Sequence, residues 1–455
     1  MKEGNEGIMA NNIDAISENV ETQNEGLQSN NISRKVITFD RTRIHYGIQA
    51  IDAVRSNTLR DALPSKPACD LICLSHLRWD FVYQRPQHLL GRGAKQRRVF
   101  FIEEPVIGEG PLRLDLTTRE EGVTVVVPHI PYDMANDADF DSTQRLLIDR
   151  LLEENGITEF VLWYYTPMAL SFTRHLKPHA VVYDCMDELS AFRNAPAELK
   201  LREAELFERA DMVFTGGQSL YEVKRKQHHN VHAFPSSIDA NHFMRARVID
   251  KDPADQAGIA RPRVGFFGVI DERLDIELLA GIADLRPEFQ LVIIGPVVKI
   301  DEKDLPRRAN IHYLGGKSYK ELPDYLSGWE AAILPFARNE STKFISPTKT
   351  PEYLAAGCPV VSTSIKDVVR PYGQKGLVHI ADTPEEFVAA IETAIETDSP
   401  ARLMMIDAFL KEMSWDRTWS QMSNLIDETV AKHRLHTDEA ESEPEVERVM
   451  VSAAH

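Results

Sequence analysis

At 455 residues the chain is too long for a single core and fits two domains of ordinary size with tails to spare. It holds no run of about 18 apolar residues, so no transmembrane helix is expected, and its start, Met1-Lys2-Glu3-Gly4-Asn5-Glu6, has acids where an export signal needs positive charge. The net charge of −18 sits largely at the ends, because residues 1–33 and 437–455 each hold six acids and one base, and the mildly acidic body has no basic stripe for a nucleic acid.

Residues 1–66 read as a polar N-terminal extension, mostly disordered. Beyond them short β-rich runs alternate with helical patterns, which is the signature of parallel α/β construction. Strands are predicted at 70–75, 98–103, 123–127, 159–163, 180–184, 212–215 and 231–234, with helices at 84–94, 143–153 and 199–210 among them. These make residues 67–245 one doubly wound domain. A polar stretch, 241–262, reads as the connection to the next.

A second alternating series follows, with strands at 264–267, 291–294, 311–314, 331–334 and 359–362 and helices at 384–397 and 402–413. It defines a second Rossmann-like domain, 246–413. A last helix opens at Trp415-Asp416-Arg417-Thr418-Trp419 and runs to about Lys432 within the segment 414–435, and the acidic tail 436–455 reads as disordered. The four cysteines, at 69, 73, 185 and 358, lie mostly in apolar strand-like runs, which points to a reducing, cytoplasmic setting and to packing, with no metal site.

The most informative stretch is Ser346-Pro347-Thr348-Lys349-Thr350-Pro351-Glu352-Tyr353-Leu354-Ala355-Ala356-Gly357-Cys358-Pro359-Val360-Val361. It reads as a loop, a short helix opened by prolines, a glycine stop and a buried strand. Amides at such a helix start and the positive end of its dipole favour a phosphate, Lys349 adds a full charge, and a carboxylate at Glu352 can accept both hydroxyls of a ribose. The bland alternative is a strand-feeding helix with a solvated Lys/Glu pair.

This segment resembles the donor-site motif Pro-x-Lys-x-x-Glu-Tyr-x-Ala-x-Gly-x-Pro-Val-Val of the retaining family-4 (group 1) glycosyltransferases, and the resemblance covers roughly residues 70–432. It implies a GT-B fold: two facing Rossmann-like domains, the first for an acceptor and the second for a nucleotide diphosphate sugar, with a C-terminal helix crossing back to the first. The donor site then gathers Gly268, Arg273, Gly295, Gly315, Pro347, Thr348, Lys349 and Glu352. Arg273 and Lys349 would neutralise the leaving diphosphate, so that neither metal nor cofactor is needed.

The chain departs from the family in two places. Val269 and Leu274 stand where relatives carry the phosphate-binding arginine and lysine, and Phe344 stands where many carry a first glutamate seven residues before the second, although Glu340 lies nearby. In the first domain the loop Trp79-Asp80-Phe81-Val82-Tyr83-Gln84-Arg85-Pro86-Gln87 resembles that of a bacterial branch of the family, with Trp79, Gln84, Arg85 and Tyr165 as acceptor-binding candidates. Relatives often place a histidine beside the transferred sugar after one of the strands that end near Tyr165 and Asp184; this chain has none there, so the resemblance makes Asp187 and Tyr165 the candidates for that role, with Asp187 as the catalytic one, and a helix-capping aspartate is the competing account for Asp187.

The cluster Lys224, Arg225, Lys226 offers a peripheral contact to the inner face of an anionic membrane, against the alternative of cations that suit a helix C-terminus. The leading expectation is hexosyl transfer with retention from a nucleotide diphosphate sugar to a carbohydrate or lipid-linked acceptor, in cell-surface polysaccharide synthesis. The alternatives are a non-catalytic nucleotide-sugar binder and a nucleotide-sugar epimerase of the same fold.

Overall fold

The computed structural model describes residues 33–39, 69–136 and 139–442. Most of the expected N-terminal extension, and the acidic tail after Ser442, lie outside the described residues. The chain forms two compact units: one takes its described residues up to Phe81, 90–181 and those from Leu425 on, the other 82–89 and 182–424.

In the first unit the strands are β1 (Arg34–Thr38), β2 (Asp70–Leu74), β3 (Val99–Ile102), β4 (Val106–Gly108), β5 (Arg113–Thr118), β6 (Thr124–Pro131) and β7 (Phe160–Tyr164). They lie in the order β1-β5-β6-β3-β2-β7, and β4 pairs with β6. The centre, β6-β3-β2-β7, is parallel, and β3 and β7 are buried along their whole length, as strands covered on both faces must be. β1 and β5 are antiparallel additions. β1 corrects the expectation for the N-terminal extension: Val36 and Ile37 supply a strand long enough to pair across five residues with β5, and Ile37 is buried.

The long last helix, Trp415–Ser442, enters this unit at Leu425. Arg97 pairs with Asp427 at 2.8 Å, His433 meets the main-chain carbonyl of His179 at 2.9 Å, and Arg434 pairs with Glu159. The helix outruns its expected end near Lys432 and takes in seven residues of the segment read as a disordered tail, because no glycine or proline interrupts 433–442.

In the second unit β8 (Ala180–Cys185), β9 (Met212–Thr215) and β10 (Val231–Ala233) form a parallel set. β11 (Arg263–Phe267), β12 (Gln290–Ile294), β13 (Ile311–Tyr313), β14 (Ala331–Leu334), β15 (Val360–Ser362) and β16 (His379–Ile380) form an all-parallel sheet in the order β13-β12-β11-β14-β15-β16. That is the strand order of a doubly wound nucleotide-binding sheet, and its reversal between β11 and β14 marks where such sheets receive ligands, outside the carboxyl ends of the strands.

The compact units meet in sequence at Val181/Val182, with residues 82–89 in the second unit. Polar contacts hold the second unit together. Asp367, buried, accepts from the amide of Ser219 at 3.0 Å, and Ser236 Oγ donates to the carbonyl of Ser346 at 2.8 Å. A β-carbon on Gly217 would stand 2.3 Å from Asp367 Oδ2, so only glycine permits that approach. The stretch read as a polar connection contains a short helix, Ala240–Met244, capped by Asp239.

Candidate functional site

Three glycine turns at the carboxyl ends of β11, β12 and β13 stack backbone on backbone. Gly268 donates to Ile294 O and Gly295 to Gly315 O, each at 2.9 Å, and a β-carbon on Gly295 would come within 1.8 Å of Gly268 O. All three glycines hold positive φ, of 149°, 146° and 69°. They leave a surface of bare backbone next to the β11/β14 reversal.

The Ser346–Val361 segment folds as its sequence implied: Lys349–Ala356 is a helix, closed by Gly357 in the left-handed conformation at φ 91°. Tyr353 fixes its position by hydrogen-bonding both the amide of Phe267, at 2.8 Å, and its carbonyl, at 3.3 Å. This clamp holds the end of β11 under the first turn of the helix. Lys349 consequently lies across Gly268, with its Cε 2.1 Å from where a β-carbon on that glycine would be. Pro347 and Thr348 precede it half-buried, and Pro347 O accepts from Thr350 N at 3.2 Å.

The sequence-derived catalytic candidates meet electrostatically. Burial pulls Lys349 below the ordinary lysine range, Glu352 counters it, and Arg273, Asp271 and Asp187 all act on it. Burial pushes Glu352 up to about 7, with Lys349 working in the opposite direction. The carboxyl of Asp187 is raised by burial against the influence of Arg273, Arg85 and Lys349. Cations and carboxylates therefore lie near enough to influence one another, on side chains that are partly buried.

Arg273 is held by Asp271, whose carboxylate accepts from its amide at 3.0 Å and from its guanidinium at 2.7 Å. Its guanidinium carbon also lies 5.5 Å from the ring centre of Phe192, and Lys299 Nζ lies 5.6 Å from the same ring. Sequence reasoning passed over Asp271 as a binding partner, and over Phe192 and Lys299 altogether. A lysine at φ 64° just beyond a glycine turn was no sequence signal.

The acceptor-binding candidates fare differently. Trp79 is 4% exposed and packs edge-on to Phe101, and Tyr165 is 1% exposed. Arg85 is 3% exposed, with its guanidinium forked onto Asp184 at 2.9 and 3.0 Å and donating to Phe234 O at 2.8 Å. In this structure Trp79 and Tyr165 are buried and Arg85 is held in an ion pair, while Gln84, at a helix start, is half-buried.

Lys224 also moves. It is 1% exposed, between Glu203 at 2.8 Å and Glu188 at 2.9 Å, which removes it from the basic surface and leaves Arg225 and Lys226 exposed. Among the described residues no helix is long and apolar enough to cross a membrane. Cys69, Glu159 and His179 bring ligand-type atoms within 4.8 Å of one another, but the Arg434 guanidinium contacts both the Cys69 sulfur, at 3.1 Å, and Glu159.

Residues 261–397, which hold this whole set of turns and the Lys349 helix, match the family model described as glycosyl transferases group 1. The chain carries a group 1 glycosyltransferase domain. A Bacillus subtilis relative named as the teichuronic acid biosynthesis glycosyltransferase TuaH is 26% identical over 253 residues, or 51% of this chain, and the match spans only 63% of that relative's length. Among solved structures, sucrose-phosphate synthase from Thermosynechococcus elongatus covers 80% of this chain and 100% of its own, at 13% identity and a TM-score of 0.56. Anabaena HepE, solved in complex with UDP and glucose, covers 78% and 99%, at 13% identity and a TM-score of 0.54. At such identities the likeness speaks for the fold, which is GT-B, with the group 1 domain built on the β11–β16 sheet.

Proposed function

We propose that the protein transfers a hexosyl group, with retention, from a nucleotide diphosphate sugar to a carbohydrate or lipid-linked acceptor, and that it does so without a metal ion. The observation that carries this reading is Lys349 laid over the Gly268 turn at the sheet's reversal, with Glu352 buried in the next turn. A diphosphate against that bare backbone would meet Lys349, whose charge burial disfavours and whose ammonium form an anionic ligand would restore. Glu352 would accept the ribose hydroxyls.

Charge grows on the diphosphate as the glycosidic bond breaks, and Lys349 and Arg273 supply fixed positive charge to it. The departing phosphate oxygen would take the acceptor's proton on the same face of the sugar, which gives retention without a protein nucleophile. Asp187 would orient the sugar from the β8 loop. The name of the relative, a teichuronic acid biosynthesis glycosyltransferase, supports polysaccharide synthesis as the pathway; the protein would act in the cytoplasm, with exposed Arg225 and Lys226 available to an anionic membrane face.

The test has two stages. Thermal shift against nucleoside diphosphates and their sugars, beginning with UDP and UDP-glucose, should show stabilisation by mass action. Hydrolysis of the sugar that binds, without acceptor and in the presence of chelator, should then be measurable. Stabilisation without any hydrolysis or transfer would favour the non-catalytic binder, and no stabilisation by any nucleotide would end the nucleotide-sugar reading.

A further inference from the structure

Glu272 stands between Asp271 and Arg273 in the loop after β11, and both of its carboxylate oxygens are hidden from solvent with no hydrogen-bond partner among the described residues. A carboxylate in that state has given up its hydration for nothing, which native structures seldom tolerate without a reason. Its neighbours are otherwise engaged. The guanidinium of Arg273 is taken by Asp271, and Glu272 reaches it only through space. Asn339 approaches the main-chain carbonyl of Glu272, at 3.5 Å, and not its side chain.

The location gives the reason. The β11 loop and the β14 loop are stitched together at the sheet's reversal: Ala337 N donates to Arg273 O and Asp275 N to Pro335 O, each at 2.8 Å. Glu272 is thus fixed between the two loops that bound the ligand position of a doubly wound sheet. The other carboxylate within reach by sequence, Glu340, is 77% exposed and paired with Lys343 at 3.2 Å. Lone pairs without hydrogen-bond donors, on a loop that borders the ligand position of such a sheet, are complementary to hydroxyl groups.

Resting on the nucleotide-sugar reading above, we propose that Glu272 reads the sugar of the donor, accepting hydrogen bonds from two of its hydroxyls, and that it selects a neutral hexose over one bearing a carboxylate. A uronic acid would bring a further negative charge against a carboxylate whose nearby cation, Arg273, is already hydrogen-bonded to Asp271. The free protein carries the cost of the orphaned group, and the bound sugar removes it.

Calorimetry on the full chain with UDP, UDP-glucose, UDP-glucuronate, GDP and GDP-mannose, for wild type, Glu272→Ala and Glu272→Gln, tests this. The wild type should prefer a neutral nucleotide sugar to UDP-glucuronate, and Glu272→Ala should weaken that sugar about tenfold or more while changing the parent nucleotide by less than about twofold. Both variants should melt higher than wild type without ligand, because an unsatisfied buried charge is gone. Equal losses for nucleotide and nucleotide sugar, undiminished sugar affinity in Glu272→Ala, or a wild-type preference for UDP-glucuronate would each overturn the assignment. A wild type that binds none of the nucleotides would instead remove the nucleotide-sugar reading itself, and this inference with it.

Discussion

Lys349 Cε fills the place that a β-carbon on Gly268 would take, 2.1 Å from it. The obstruction is the far end of a flexible side chain, so Gly268→Ala should be accommodated by displacing the ammonium. A fold cost of about 1 kcal/mol is expected from the alanine at φ 149°, with a loss of nucleotide affinity matching that of Lys349→Ala. The double variant should be no worse than either alone, since both remove one contact. Additive losses would show that Gly268 and Lys349 act separately.

Arg273 and Lys349 differ in what surrounds them, and their variants should differ too. Lys349 is in the first turn of its helix with Glu352 as its leading charge partner, while Arg273 is already neutralised by Asp271. Both alanine variants should lose turnover more than donor affinity, because the leaving group's charge grows in the transition state. Arg273→Ala should also leave Asp271 uncompensated at 8% side-chain exposure, and a fall in melting temperature should accompany it. Single-turnover rates beside melting curves separate the two effects.

Glu352 titrates near neutrality, and the sign of its effect is fixed. Its folded value of about 7 lies above its ordinary 4.5, so the native state holds the proton more tightly, and stability falls as pH rises from about 4.5 to about 7 and then levels. The ribose contact proposed for Glu352 needs the carboxylate, so nucleotide affinity should rise between pH 6 and 8 even as the free protein loses stability. Glu352→Gln should flatten both curves, and Glu352→Ala should weaken nucleotide binding by about 1.5–3 kcal/mol. An unchanged pH profile in Glu352→Gln would assign the titration to another group.

Much of this was legible in the sequence. The strands β8 through β15 could be placed to within a residue or so because each is a short apolar-rich run bounded by glycine, proline or polar residues, and the Lys349 helix carries its start and stop in its residues. What was not legible has a common cause: side chains whose role depends on a distant partner. Arg85 became a core ion pair because Asp184, 99 residues away, needed a counter-charge. Nothing in the sequence singled out Glu272, and its isolation from donors exists only once the β11 and β14 loops are joined. β1 was missed because its residues sit in a polar stretch and its partner β5 is 75 or more residues downstream.

The same reasoning predicts that Lys224 matters for stability and not for membranes. Its ammonium joins Glu203 and Glu188, and Glu203 also accepts from Tyr183 at 2.7 Å, so Lys224→Ala would leave two carboxylates facing each other in a buried space. A loss of about 3–5 kcal/mol is expected, the range for breaking a buried pair from one side. Lys224→Arg should recover part of it. Sedimentation with anionic vesicles should respond to Arg225→Glu and Lys226→Glu and not to Lys224→Arg; if it responds to Lys224→Arg alone, the buried position is wrong.

The N-terminal strand sets where the chain can be trimmed. β1 pairs with β5 over five residues, Arg34 reaches Asp115 at 3.1 Å, and Ile37 is 5% exposed, so the segment closes the edge of the first unit's sheet. A chain beginning at Ser33 should melt like the full-length protein, because the residues removed are too polar to add a core. One beginning at Asp40 should lose at least about 2 kcal/mol, the burial of one isoleucine, and more for the exposed ladder of β5. Nucleotide binding, proposed above for residues of the second unit, should survive both truncations. Equal melting temperatures for the two would mean that β1 adds nothing to the sheet it borders, and a loss of nucleotide binding in the shorter chain would mean that the donor site depends on more than the second unit.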